Sequence, residues 1–192
     1  MCPLSARSIV VSHDGTGVEA VEALRRANVV SADWSALYAE HAPAIARFLA
    51  KLTGDREVAA DLTQETFVRA IRARPDSAEL RSARAWLFRI ATNLAHDHHR
   101  RRALLRFTPF SGREPGPSGI PDPETELVHR ALRALSEAQS AALLLHYDAG
   151  FSRQEIAQLA GITEEAVKSR LLRGRERFLR EFARLGGTDD AR

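Results

Sequence analysis

The stretch Ser152-Arg-Gln-Glu-Ile-Ala-Gln-Leu-Ala-Gly-Ile-Thr-Glu-Glu-Ala-Val-Lys-Ser-Arg-Leu-Leu-Arg-Gly-Arg175 decides how the C-terminal part of the chain folds. Ser152 and Glu155 stand at capping-box spacing and open a short helix through Ala160. Gly161-Ile162-Thr163 is a tight turn, and a long helix follows from Glu164 to about Leu185. A short helix, a glycine-containing turn and a second amphipathic helix make a helix-turn-helix. Val167, Leu171, Gly174 and Phe178 recur at 3–4 spacing and face inward. Lys168, Ser169, Leu172, Arg173 and Glu176 fall on another face, flanked by Arg170, Arg177, Arg180 and Arg184. A helix entering the major groove needs that division: an apolar back, short or bidentate side chains in front, and arginines for phosphate at the sides. A charge run is usually a solvated face, but here caps, turn and stripe agree on DNA binding.

Upstream, Ser136 and Gln139 form a second capping box, for a helix ending near Gly150. Before that, residues 107–123 hold five of the eight prolines and three glycines, so no regular element survives there and the segment reads as a linker. On its far side three more helices are expected. Asp33 caps one from Trp34 to about Leu52, with Leu37, Ile45, Phe48, Leu49 and Leu52 as its apolar face. Asp55 caps the next, to about Arg74, with Val58, Ala59, Leu62, Phe67, Ala70 and Ile71 as one stripe before Pro75 stops it. After a loop, Ser82 opens the third, with Trp86, Leu87, Ile90, Ala91 and Leu94 inside. No alternating strand pattern occurs, so the fold class is all-α. The expected organisation is a loosely ordered arm (1–32), a helical domain (33–106), the Pro/Gly-rich linker (107–123), a second small helical domain carrying the helix-turn-helix (124–185) and a short tail (186–192). A foldless linker leaves the two domains unaligned, so tight specific DNA binding should need a larger partner.

Composition narrows the function classes. The chain has 192 residues, 44% of them apolar, which is enough for a core. Its one cysteine, Cys2, excludes an internal disulfide. The longest unbroken apolar run, Ala141–Leu145, is far short of a membrane span, and Ile9-Val10-Val11 is too short for a signal-peptide core, so a cytoplasmic protein without membrane attachment is expected. Charge is segregated: residues 84–106 and 168–184 each carry net +5, whereas 107–167 carry net −5. Two basic blocks on an otherwise acidic chain suggest two separate footprints for a polyanion.

The first block lies on the third helix and includes Arg84, Arg89, Asn93, Asp97, Arg100, Arg101 and Arg102. Asn93 can both donate to and accept from a base edge. His96, His98 and His99 invite a metal reading, but only His96 and His99 share a face and no second Cys/His cluster accompanies them. They read instead as partly exposed histidines beside a nucleic-acid surface, and no metal or cofactor is expected. Trp86 reads as core. No phosphate loop, nucleophile elbow or paired-carboxylate cleft is present, so neither an enzyme nor a small-molecule substrate is expected.

Three stretches taken together resemble one family: Asp61-Leu-Thr-Gln-Glu-Thr-Phe67, then Ala85-Trp-Leu-Phe-Arg-Ile-Ala-Thr-Asn-Leu-Ala-His-Asp-His-His-Arg-Arg101, then the helix-turn-helix. Over about 33–184 the chain is similar to RNA polymerase sigma factors of the extracytoplasmic-function (ECF) group of the sigma-70 family. The resemblance implies two helical domains, region 2 before the linker and region 4 after it, with core RNA polymerase and promoter DNA as partners and an anti-sigma factor as a further one. It implies that Asp61, Leu62, Gln64, Glu65 and Phe67 belong to a polymerase-docking segment. It places Asn93, Asp97, Arg100 and Arg101 at the minus-ten element, and Lys168, Ser169, Arg170, Leu172 and Arg173 at the minus-thirty-five element. The arm 1–32 and the three histidines depart from the family pattern. A stand-alone helix-turn-helix regulator is the alternative; it accounts for 136–184 but leaves 61–102 without a purpose.

Overall fold

The computed structural model describes residues 33–73, 75, 82–105 and 123–186. The arm 1–32, most of the loop after Pro75, linker residues 107–122 and tail residues 187–192 lie outside the described residues. All regular structure among the described residues is helical: α1 Trp34–Thr53, α2 Arg56–Ala73, α3 Ala83–Leu105, α4 Pro123–Arg133, α5 Glu137–Leu143 running into a π-helical turn Leu144–Asp148, α6 Arg153–Ala160 and α7 Glu164–Arg184. None of these helices is long and apolar enough to cross a membrane.

Local chemistry sets most boundaries. Asp33 accepts from Ala36 N at 3.0 Å, and Gly54, at φ 71°, ends α1 by donating to Ala50 O. Asp55 then accepts from Glu57 N and Val58 N at 2.9 and 3.1 Å to start α2. Both expected capping boxes form reciprocally, Ser136 with Gln139 and Ser152 with Glu155. Gly161, at φ 64°, closes α6, and the Thr163 hydroxyl caps α7 through Ala166 N.

Helices α1, α2 and α3 pack mutually around Ile45, Phe48, Leu49, Phe67, Leu87, Phe88 and Ala91, with Trp86 buried at 7% exposure. The buried face of α2 is Ala59, Thr63, Thr66, Phe67 and Ala70. Its threonine hydroxyls donate back to Ala59 O and Leu62 O, both at 2.7 Å, so their burial leaves no donor unmet. The expected stripe is corrected at Ile71, which is 48% exposed. Twelve residues beyond Ala59, it lies about 120° around the helix from that residue at 3.6 residues per turn, at the edge of the buried row next to Phe67. In the other half, α4, α5 and α6 pack on α7 around Val167 and Leu171. Gly174 lies so close to α5 that a Cβ there would meet Gln139 Cβ at 3.3 Å.

Three features differ from expectation. Pro123 starts α4 instead of ending the linker. The helix expected to reach Gly150 becomes π-helical over Leu144–Asp148, with Ala149 N donating to Leu144 O five residues back. Most consequentially, the two halves are not left unaligned: the described residues from Asp33 to Gly186 form one compact unit with one continuous core. Phe88 of α3 sits between Phe48 of α1, at a ring separation of 5.3 Å, and Phe151, just before α6, at 5.1 Å. Arg84 reaches across the junction, its guanidinium 4.1 Å from the Phe151 ring centroid and its Nη2 donating to Ala149 O. Lys51 of α1 pairs with Asp148, and the Arg133 guanidinium packs on Gly54.

Candidate nucleic-acid and polymerase-binding faces

Burial of Val167, Leu171 and Gly174 leaves the opposite side of α7 outward. Lys168 and Arg173 are exposed there, Ser169 and Arg170 are half-buried, and Leu172 is 60% exposed. Arg173 is held along the helix, its Nη2 donating to Ser169 Oγ at 2.7 Å and its Nε to Ser169 O at 3.3 Å. That bracing reduces the freedom the fork loses when it meets a base edge. Lys168 Nζ lies 3.8 Å from Glu165, an exposed pair worth little in water and readily exchanged for a phosphate. Leu172 suits apolar contact with a thymine methyl.

On α3 the buried row is Leu87, Phe88, Ala91, Leu94 and Ala95. Asn93, Asp97, Arg100 and Arg101 recur at spacings of three to four away from it; Asn93 and both arginines are exposed and Asp97 is half-buried. Asp97 accepts from Arg100 Nη2 at 2.9 Å. Arg84 does not join this face, because it is engaged at the junction.

On α2, Asp61 and Gln64 are exposed, Glu65 is half-exposed and paired with Arg69 at 2.8 Å, Leu62 is half-buried and Phe67 is buried. The same face continues through Val68 and Ile71, exposed by 37% and 48%. Tyr38 of α1 is also exposed, its ring 4.8 Å from Phe67. The sequence reading missed these three apolar residues. Their signal was faint: Ile71 stands four residues after buried Phe67, at the margin of the core stripe rather than inside it.

The three histidines of α3 are half-exposed. His96 Nε2 lies 3.8 Å from Glu137 Oε1 of the other half, and His99 lines a cavity at the junction. Among the described residues no group of three His, Cys, Asp or Glu is placed to hold a metal ion. Burial, then the charges of His99 and Arg102, push the His98 pKa below its ordinary value. His129 on α4 is lowered as well, by burial first, against an opposing pull from Glu126.

Comparison with known proteins places these faces in context. Residues 37–104 match the family model for sigma-70 region 2, and residues 125–178 match that for sigma-70 region 4. The ECF RNA polymerase sigma factor SigL of Mycobacterium tuberculosis is 38% identical over 148 residues, 71% of this chain and 81% of SigL. The sigma factor CarQ of Myxococcus xanthus is 33% identical over 151 residues, covering 76% of this chain and 86% of CarQ. Among solved structures, the sigma factor RpoE of Bartonella quintana, in complex with the anti-sigma factor NepR, superimposes with a TM-score of 0.60 at 26% identity, over 79% of this chain and 97% of RpoE. CnrH, in complex with the cytosolic domain of CnrY, gives 0.60 at 28% identity, over 82% and 92% of the two chains. With both region models matched in order and relatives aligned across both halves, the chain belongs to the ECF sigma factors of the sigma-70 family.

Proposed function

We propose that this sigma factor divides its work among three faces. The α2 face (Asp61, Gln64, Glu65, with Val68, Ile71 and Tyr38 as an apolar margin) docks on core RNA polymerase, while Leu62 and Phe67 anchor it to the core. The α3 face, with Asn93, Asp97, Arg100 and Arg101, captures the minus-ten element as it opens. The α7 face, with Lys168, Ser169, Arg170, Leu172 and Arg173, reads the minus-thirty-five element in the major groove. Residues 33–106 act as region 2 and 124–185 as region 4, joined by 107–123. An anti-sigma factor is a further partner, as for the structural neighbours solved with one. The setting is the cytoplasm, where RNA polymerase acts. The supporting observation is that all three nominated sets present polar groups outward on separate helices that share one core.

The packed unit cannot make both promoter contacts at once. A unit of its size has a radius of gyration of about 15 Å, hence a width of about 40 Å. About 25 base pairs separate positions ten and thirty-five, or about 85 Å at 3.4 Å per step. The stretch 106–122 between α3 and α4, extended, reaches about 56 Å, which bridges the gap once the two halves part. Promoter use therefore requires the junction at Phe88, Phe151 and Arg84 to open, and docking on polymerase is the step that can hold the halves apart.

The test is transcription with purified core enzyme on genomic promoter fragments. Wild-type protein should direct initiation. Asp61→Arg with Glu65→Arg should fail to co-purify with core polymerase while helical content and melting temperature stay near wild type, because exposed charges contribute little to stability. Wild-type co-purification of the double variant refutes the docking face.

A further inference from the structure

A cavity of about 740 Å³ opens where four helix ends meet at the junction: the last residues of α1, α3 and α4 and the first of α5. Of its lining, only Arg100 belongs to one of the three faces described above. Its charged lining is Arg100, Arg102 and Arg133 on one side of the balance, and Asp55 and Glu137 on the other, with His99 beside them. Its size falls within the range of small-molecule sites.

Two of these groups already have occupation. Asp55 is spent on capping α2 through two backbone N–H groups, and Arg100 is paired with Asp97. Arg133 is seated against Gly54, where even a Cβ would stand 3.0 Å from its Nη2, so its fork is positioned by the fold. On the same wall Glu137 Oε1 faces His96 Nε2 at 3.8 Å, beyond hydrogen-bond distance, and His99 Nε2 has no hydrogen-bond partner.

The lining also selects the guest's chemistry. A bare polyphosphate suits Arg102 and Arg133 but faces the Glu137 carboxylate. A neutral sugar or base suits Glu137 and His99 but leaves two guanidiniums unused. A molecule with both parts satisfies both: phosphoryl oxygens accept from the arginine forks in bidentate fashion, while a hydroxyl or amino group donates to Glu137. We propose that this junction cavity binds a nucleoside phosphate. The walls come from both halves of the chain, so the site exists only while they are packed together. Ligand at one hundred times its dissociation constant multiplies the packed-to-open ratio about 100-fold by mass action, withdrawing the sigma factor from promoter use. This regulatory consequence rests on the opening step above; the binding itself does not.

The test is calorimetry on the full chain, without polymerase or DNA, at physiological salt. The probes are adenosine and guanosine diphosphates, inorganic pyrophosphate and uncharged guanosine. The expected result is saturable binding of a nucleoside diphosphate at one per chain, with pyrophosphate and guanosine each at least tenfold weaker. Arg102→Ala and Glu137→Gln should each weaken binding at least tenfold, whereas Arg72→Ala, exposed on α2, should not. Circular dichroism confirms that each variant is folded. Absence of saturable binding by any probe overturns the site, as does equal weakening by Arg72→Ala, which marks general charge attraction. Undiminished binding to Glu137→Gln, or pyrophosphate equal to the diphosphates, overturns the nucleoside part. A second arm adds the diphosphate to transcription reactions: inhibition supports the regulatory consequence, and binding without inhibition refutes that consequence alone.

Discussion

Arg84 offers the sharpest test of the packed state. It extends from the first turn of α3 to the other half of the molecule, over the Phe151 ring at 4.1 Å and onto Ala149 O. Truncation to Ala removes both contacts and leaves the helical core of each half untouched, since Phe88 keeps Phe48 and Phe151 still precedes the Ser152 cap. A cation–π contact at an exposed site contributes about 0.5–1 kcal/mol. A charged hydrogen bond contributes about 1.5–3 kcal/mol, with the lower end appropriate to an exposed group. The two together are about 2 kcal/mol, a change of about 30-fold in the ratio of packed to open forms.

The assay is single-molecule energy transfer. Replacing the one native cysteine by Cys2→Ser gives a clean background, and dyes at Arg72→Cys on α2 and Arg177→Cys on α7 report the separation of the halves. Arg84→Ala should raise the low-transfer population in the free protein, and Arg84→Lys, which keeps charge without the fork, should fall between. If Arg84 is instead a phosphate contact, the variant will leave these populations unchanged and lower the salt dependence of promoter binding by about one ion. That outcome would refute the latch.

Three further expectations follow from the same geometry. Arg173→Ala should weaken the minus-thirty-five contact by about 1–3 kcal/mol and relax sequence choice there, read by competition binding with the holoenzyme; a uniform loss across all upstream sequences would mark it as a phosphate contact. Asn93→Ala should impair strand opening more than initial binding, read by permanganate reactivity, and unchanged reactivity would refute base capture by that amide. Acid should loosen the packed unit: His98 and His129 have pKa values lowered from 6.5, chiefly by burial, so the stability they carry is present above that value and lost as pH falls through their lowered values. A pH titration of melting temperature should show a decline below about 6.5 that is smaller in His129→Gln.

The legible parts of the sequence were those whose causes are local. Ser136 with Gln139, Ser152 with Glu155, Asp55 and Gly161 each act within four residues, and each terminates a helix where its chemistry places it. The α7 division into an apolar back and a basic front was legible for the same reason: a helix fixes the phase between positions 167 and 178. Helix α4 was also written in the chain, in Leu127, Val128, Ala131, Leu132 and Leu135 after a proline suited to a first helical turn, but the neighbouring proline-rich stretch obscured it. The π-helical turn had no such signal, because the continuous run Ala141–Leu145 is apolar at every phase and masks a one-residue slip.

What stayed illegible was the junction, and its residues explain why. Phe151 reads locally as the hydrophobic residue before a helix cap, positioned to staple onto Ile156 four helical residues on. That role would leave it partly exposed, yet it is 2% exposed because Phe88 and Arg84 cover its other side. Arg84, in turn, reads as part of a basic block, and its carbonyl partner is 65 residues away. Each side chain satisfies a local rule by itself, so neither local pattern reports the pairing. The basic block consequently contains arginines with opposite duties: Arg100 and Arg101 are turned outward on the nominated DNA face, whereas Arg84 holds that face in an arrangement too short to span a promoter. Net charge cannot separate the two duties, because both use the same guanidinium. The aromatic ring beneath one of them separates them, since a cation seated on a buried ring must give up that contact before the halves can part.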